Sequence, residues 1–132
     1  MIYLETSALV KLVRREAETD ALRDWLATRT STPWVASALI EVELPRALLR
    51  VNPELLSQMP AVIGRLGRYE IDEVVRAAAA AYPDPALRSL DAIHLATAHT
   101  VFGGQLAAFI TYDNRLQDAA HSLNLPVFAP GQ

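Results

Sequence analysis

No cysteine occurs among the 132 residues, so there is no disulfide framework and no thiolate chemistry. Any bound metal must then be held by oxygen or imidazole ligands. Lysine is nearly absent as well: of 12 basic residues only Lys11 is not arginine, and arginine is the side chain best shaped to grip phosphate oxygens in pairs. Long apolar runs are missing. None approaches the ~20 residues a membrane helix needs, and Met1-Ile2-Tyr3-Leu4-Glu5 has neither a basic region nor a cleavage site, so a soluble cytoplasmic protein without membrane contact is expected. An excess of positive charge is missing too; a net charge of −3 lacks the usual footprint of a nucleic-acid binder. If four of the acids were gathered in one site, however, the remainder of the chain would carry +1 of that −3, a weakly basic exterior around an acidic hole. What is present is an apolar fraction of 52%, which argues against disorder, and a length that fits one domain over residues 1–132.

Strand and helix signals alternate along the chain. Ile2-Tyr3-Leu4 is a short apolar run that reads as a buried strand ending at Glu5. Thr6 or Ser7 is the expected cap of a first helix to about Arg15, with Leu9, Leu12 and Val13 on one face. A second helix from about Ala17 to Thr28 is stopped by Thr30-Ser31-Thr32-Pro33 before a strand at Trp34-Val35-Ala36. Ser37 is the expected cap of the next helix, in which Pro45 cannot donate to Glu41 and predicts a kink. A weaker helix over 54–66, a short strand within 67–72 and an alanine-rich helix from Glu73 to Tyr82 capped by Asp72 follow. The segment Ser89-Leu90-Asp91-Ala92-Ile93-His94-Leu95-Ala96-Thr97-Ala98 reads as a helix with Ser89 as its cap. Ala107 to Thr111 is another buried strand, Tyr112 to Leu116 leads into a helix to about Leu123, and Pro126-Val127-Phe128 closes the chain as a last strand. Strands alternating with helices and no tight hairpin signal predict an α/β fold in three layers, with a short, mainly parallel central sheet covered on both faces.

In such sheets the working site lies beyond the carboxyl ends of the strands. Glu5 and Asp113 follow apolar strands directly, whereas Glu43 and Asp91 occupy the first or second turn of helices. Each has an ordinary explanation when taken alone. An acid in a first turn suits the helix dipole, and Glu43 with Arg46 three residues on can form a surface ion pair. Glu41 and Glu43 cannot share a face at this spacing, and Glu43 is the one expected to face inward. Four carboxylates meeting at one edge would repel and take up protons, a conflict that a hard divalent cation resolves. Mg²⁺, with Mn²⁺ as the other option, favours oxygen ligands and accepts phosphate oxygens as further ones. The inferred chemistry is metal-assisted hydrolysis of a phosphodiester by one or two such ions.

The segments Ile2-Tyr3-Leu4-Glu5-Thr6-Ser7-Ala8-Leu9-Val10-Lys11-Leu12, Glu43-Leu44-Pro45-Arg46-Ala47, Leu90-Asp91-Ala92-Ile93-His94-Leu95-Ala96-Thr97-Ala98 and Thr111-Tyr112-Asp113-Asn114-Arg115-Leu116 resemble, in order, those of the PIN-domain ribonucleases. Among these the VapC toxins of bacterial toxin–antitoxin pairs are the most similar. The resemblance spans essentially the whole chain and implies a Mg²⁺- or Mn²⁺-dependent endoribonuclease, usually dimeric, held inactive by a VapB-like antitoxin and touching DNA only through it. It implies that Glu5, Glu43, Asp91 and Asp113 form the acidic site, with Glu5, Asp91 and Asp113 as metal ligands. Thr6, Ser7 and Thr111 would orient a ligand or a water, and Arg46 and Arg115 would contact phosphate or an antitoxin carboxylate. The chain departs from the pattern at Glu5, where the family usually carries Asp.

Two rival readings follow from the same residues. One is a binding module with weak or lost nuclease activity, working mainly within an antitoxin–DNA repressor complex. The other is a phosphoacceptor domain of the receiver type, which also clusters acids on a parallel sheet but normally sets a lysine opposite them; Lys11, in the first helix, does not fit that place. His94, His99 and His121 are read as structural or surface residues, since an oxygen-rich site needs no imidazole.

Overall fold

Alternating sequence periodicity becomes alternating strand and helix in the computed structural model, which describes all 132 residues. The strands are β1 (Ile2–Leu4), β2 (Trp34–Ser37), β3 (Leu66–Tyr69), β4 (Ala108–Ile110) and β5 (Val127–Phe128). The helices are α1 (Thr6–Val13), α2 (Thr19–Ala27), α3 (Ile40–Val51), α4 (Met59–Ile63), α5 (Glu73–Ala81), α6 (Ser89–Thr97) and α7 (Asn114–Ser122). All strand pairs are parallel, in the order β3-β2-β1-β4-β5. From β1 the chain builds first toward β3 and then returns to add β4 and β5 on the other side. The order therefore reverses between β1 and β4, the place where open α/β sheets form their crevice.

Strand alternation divides the core between the two faces of the sheet. Ile2, Leu4 and Ile110 point to one face, where they pack with Leu9, Leu22, Ile40, Leu44 and Leu48 of α1, α2 and α3. Tyr3, Val35 and Phe109 point to the other, against Leu95 of α6, Phe102, and Leu116 and Ala120 of α7. Helices on both faces of a parallel sheet complete the three expected layers. No helix is long and apolar enough to cross a membrane.

Several caps differ from the sequence expectation. Helix α1 is capped by Glu5, not by Thr6 or Ser7, and the Glu5 carboxylate accepts from the Ser7 N–H. Helix α6 begins at Ser89 itself, with Arg88 in the cap position and no side-chain cap bond. At α1 a longer acid preceding the helix takes the cap position, and α6 starts from an exposed turn with no side-chain cap at all. Ser37 ends β2 and still serves the turn, its hydroxyl accepting the Leu39 N–H at 3.1 Å. Asp72 caps α5 as expected, through the Val75 N–H. The weak helix over 54–66 is a 3₁₀ turn, Pro53–Gln58, followed by the short α4. Pro45 lies inside α3, which continues through it to Val51.

The buried leucine of α1 gives a direct check on this packing. Leu9→Ala should cost about 2–5 kcal/mol in urea unfolding, because Leu9 is fully buried. Val74→Ala, at a position 64% exposed, should stay within about 0.5 kcal/mol of the parent chain.

Candidate active site

The register of the two central strands places the first functional residues side by side. Leu4 pairs with Ile110, so Glu5 and Thr111, the next residues of each strand, emerge together at the carboxyl edge. Glu5 is buried, and its Oε2 accepts three bonds: from the Ser7 N–H at 3.0 Å, the Ser7 hydroxyl at 2.5 Å and the Thr111 hydroxyl at 2.9 Å. The same hydroxyls then accept from the following loop, Ser7 from the Tyr112 N–H at 2.9 Å and Thr111 from the Asp113 N–H at 3.2 Å. All the donors converge on Oε2, and Oε1 takes none from the chain. The longer glutamate is thus seated by a matched set of donors.

Glu43 faces inward from α3, while Glu41 faces outward toward Arg68, at 3.5 Å. One oxygen of Glu43, Oε1, accepts from the Thr6 hydroxyl at 2.6 Å and lies 2.5 Å from His94 Nε2. Burial on its own would raise the Glu43 carboxyl, but hydrogen bonding and electrostatic attraction from His94, with the Thr6 hydroxyl, outweigh it and hold the group below the ordinary carboxylate range. The Arg46 pairing suggested by spacing does not form. Arg46 is exposed and joins neither this cluster nor the cleft beside it.

Asp91 is half-buried in the first turn of α6. Burial pushes its carboxyl up, and the charges of Asp113, Glu5 and Glu43 push in the same direction against a smaller opposing effect of His94. Asp113 is exposed and caps α7, its Oδ1 accepting from the Arg115 N–H at 2.9 Å and the Leu116 N–H at 3.2 Å. Asp91 and Asp113 line a cleft of about 820 Å³ with Arg88, Asn114 and Arg115. Asp91 and Asp113 thus share an open cleft with two guanidinium groups, while Glu5 and Glu43 lie outside its lining.

His94 is where the sequence reading fell short. It is fully buried, and a ligand atom from each of Glu5, Glu43 and His94 lies within 4.8 Å of the others. Both ring nitrogens are already engaged, Nε2 with Glu43 and Nδ1 with the Tyr3 hydroxyl at 2.6 Å. His94 belongs to the site as a partner of an acid; Glu5 Oε1, Glu43 Oε2, the Asp91 carboxylate and Asp113 Oδ2 accept no hydrogen bond from the chain, and the two aspartates stand outside the tight group that Glu5 and Glu43 form with His94. An all-oxygen set of this kind suits Mg²⁺ or Mn²⁺. The signals were present in the sequence: Asp91 and His94 are three apart on one helix face, and Tyr3 and Glu5 are two apart on one strand. Lys11 is engaged elsewhere, bound to Glu18 at 2.8 Å and Glu16 at 3.3 Å, which removes the support for a receiver-type site.

Comparison with known proteins agrees with this geometry. A family model described as the PIN domain matches residues 2–122. The chain is 63% identical to Ribonuclease VapC35 of Mycobacterium tuberculosis over 133 residues, covering 100% of this chain and 98% of the relative. It is 43% identical to Ribonuclease VapC46 of the same organism, covering 98% and 97% of the two chains. Ribonuclease VapC47, also from M. tuberculosis, is 37% identical, with coverage of 99% and 98%.

Opposite pKa shifts at two acids should have opposite effects on stability in EDTA. Asp91 has a raised folded-state pKa, so the folded chain holds its proton more tightly than the unfolded chain and loses stability as pH rises through that range. Asp91→Asn should therefore melt above the parent at pH 7, and the gap should close below pH ~4, where the carboxyl is protonated in both states. Glu43→Ala should instead cost about 1–3 kcal/mol at pH 7, because it strips the acceptor from His94 and Thr6. Thermal melts of the two variants across pH 3.5–7.5 check both signs.

Proposed function

The chain belongs to the PIN-domain family, and from that premise we propose that it is a Mg²⁺- or Mn²⁺-dependent endoribonuclease, the toxin of a VapBC-type toxin–antitoxin pair. In this reading residues 1–132 work as one cytoplasmic domain, dimeric, neutralised by a VapB-like antitoxin and reaching DNA only through it. The observation that carries the proposal is the set of carboxylate oxygens left without donors beyond the carboxyl edge of the sheet, on Glu5, Glu43 and Asp113, whose other oxygens the chain holds, and on Asp91, which accepts no hydrogen bond. The ribonuclease names of the full-length VapC relatives support it further.

Glu5, Asp91 and Asp113 would hold the ion, with Glu43 completing the acidic site. When bound, the ion supplies Lewis acidity toward the phosphodiester and toward the attacking water, and the reaction adds that water across a P–O bond. The chain's own work is placement. Ser7 and Thr111 fix Glu5, Thr6 fixes Glu43, and the Asp113 cap anchors α7 against the same edge. Arg115, on the cleft wall, would meet a backbone phosphate together with Arg88, as paired guanidinium donors do well. Arg46 would be left to contact the antitoxin. A substrate strand lying along the cleft would thus have its scissile phosphate at the acids and a neighbouring phosphate at the arginines.

The binding-module alternative draws on Glu5 standing where the family usually has Asp. The three donors matched to Glu5 Oε2 speak against a damaged site and favour the enzymatic reading.

Purified, antitoxin-free chain should cut a mixed cellular RNA pool with Mg²⁺ or Mn²⁺ and stop on addition of EDTA. Asp91→Asn should fall to background in the same gels. Equal silence of the parent and the variant under every metal would overturn the nuclease reading in favour of the binding module.

A further inference from the structure

A continuous hydrogen-bonded chain runs from the sheet to Glu43. The Tyr3 hydroxyl oxygen accepts the Ser37 N–H at 3.1 Å. The same hydroxyl is hydrogen-bonded to His94 Nδ1 at 2.6 Å. The other ring nitrogen, Nε2, faces Glu43 Oε1 at 2.5 Å, and because an ionised carboxylate only accepts, Nε2 is the donor of that pair. Tyr3 and His94 are both fully buried, and the tyrosine ring is fixed by stacking on Phe109 with centroids 5.1 Å apart. Neither Tyr3 nor His94 is free to turn toward solvent.

We propose that Tyr3 and His94 are positioning residues that set the direction of the Glu43 carboxylate, holding Oε1 so that Oε2 is turned toward the other acids. The inference rests on the metal-dependent nuclease reading above. His94 and Asp91 lie one turn apart on the same face of α6, so the bond from His94 refers Glu43, on a helix of the opposite layer, to the helix that carries Asp91. Thr6 donates to the same oxygen at 2.6 Å, and the two donors together remove the freedom of a side chain with three torsions. Glu43 completes the acidic site around the three ion-holding acids, and groups that fix the carboxylates surrounding an ion matter to metal affinity much as the ligands do.

Mn²⁺ titration calorimetry on the full chain tests the proposal, using Tyr3→Phe, His94→Asn, His94→Gln, Glu43→Gln and the double variant His94→Asn/Glu43→Gln. Glutamine reaches as far as Nε2 and can still donate to Glu43, whereas asparagine reaches only the Nδ1 position. Tyr3→Phe and His94→Asn should weaken Mn²⁺ binding by roughly 10- to 100-fold, and His94→Gln should restore most of it. The loss from His94→Asn should vanish on the Glu43→Gln background, and kcat on RNA should fall with KM nearly constant. Melting midpoints measured alongside separate this from unfolding; should His94→Asn fail to fold, the contrast between Tyr3→Phe and His94→Gln carries the test. Unchanged Mn²⁺ affinity in Tyr3→Phe and His94→Asn, equal weakness of the two His94 variants, or a full His94→Asn loss on the Glu43→Gln background would overturn the assignment. A parent chain that neither binds Mn²⁺ nor cuts RNA would overturn the nuclease reading itself and the positioning role with it, an outcome visible before any variant is made.

Discussion

Carboxylates brought together at the edge of an apolar core disfavour one another's ionisation, and burial adds to the cost because it removes the water that would otherwise solvate them. Much of the surrounding structure limits that cost. Glu5, the most buried of the four, receives three donors on one oxygen; Glu43 receives two; Asp113 is out in solvent and takes two backbone N–H groups. Asp91 receives none, and it is the acid whose carboxyl is driven upward, first by its own burial and then by its neighbours. The chain therefore concentrates the unfavourable electrostatics in one residue while anchoring the others. Such a distribution fits a site that works with a cation among its acids.

The donors are also economical in sequence terms. Ser7 and Thr111 each serve Glu5 and the 111–113 loop at once, so the hydroxyls that fix the acid also fix the strand end from which Asp113 departs. Glu5 is both the cap of α1 and a member of the site, and Asp113 plays the same double part for α7. Helix initiation and site construction are therefore one event at two of the four acids. A carboxylate in the cap position is held by N–H groups whose direction the helix has already determined.

Most of the architecture could be read from period and punctuation, since short apolar runs bounded by turn residues are hard to mistake when helices lie between them. The strand cores at Ile2-Tyr3-Leu4, Trp34-Val35-Ala36 and Ala108-Phe109-Ile110, and the inward turn of Glu43, are of this kind. What periodicity could not supply was partner choice. Nothing local told Thr6 to bond Glu43 37 residues away, or Tyr3 to reach His94 across 91. The α1 cap lies one or two residues before the expected Thr6 or Ser7 for a related reason: a hydroxyl residue is the better cap in isolation, but donors from Ser7 and Thr111 seat Glu5 there. The α6 cap position falls at Arg88, one residue before the expected Ser89, with no side-chain cap bond. A buried histidine with both nitrogens used looks, in sequence, the same as any histidine on an apolar helix.

The pairing of β1 with β4 joins the start of the chain to a segment more than 100 residues later, Glu5 to Thr111 across 106 positions. During synthesis the amino-terminal segments leave the ribosome first and begin to organise while the rest is unmade. Until β4 emerges, the strand that will lie at the centre of the sheet is an open edge, Glu5 lacks the threonine that seats it, and Asp113 does not exist. An interrupted or truncated chain thus carries the first three acids with no competent arrangement of them. The four acids can come together only after β4 and the residues that follow it have been made.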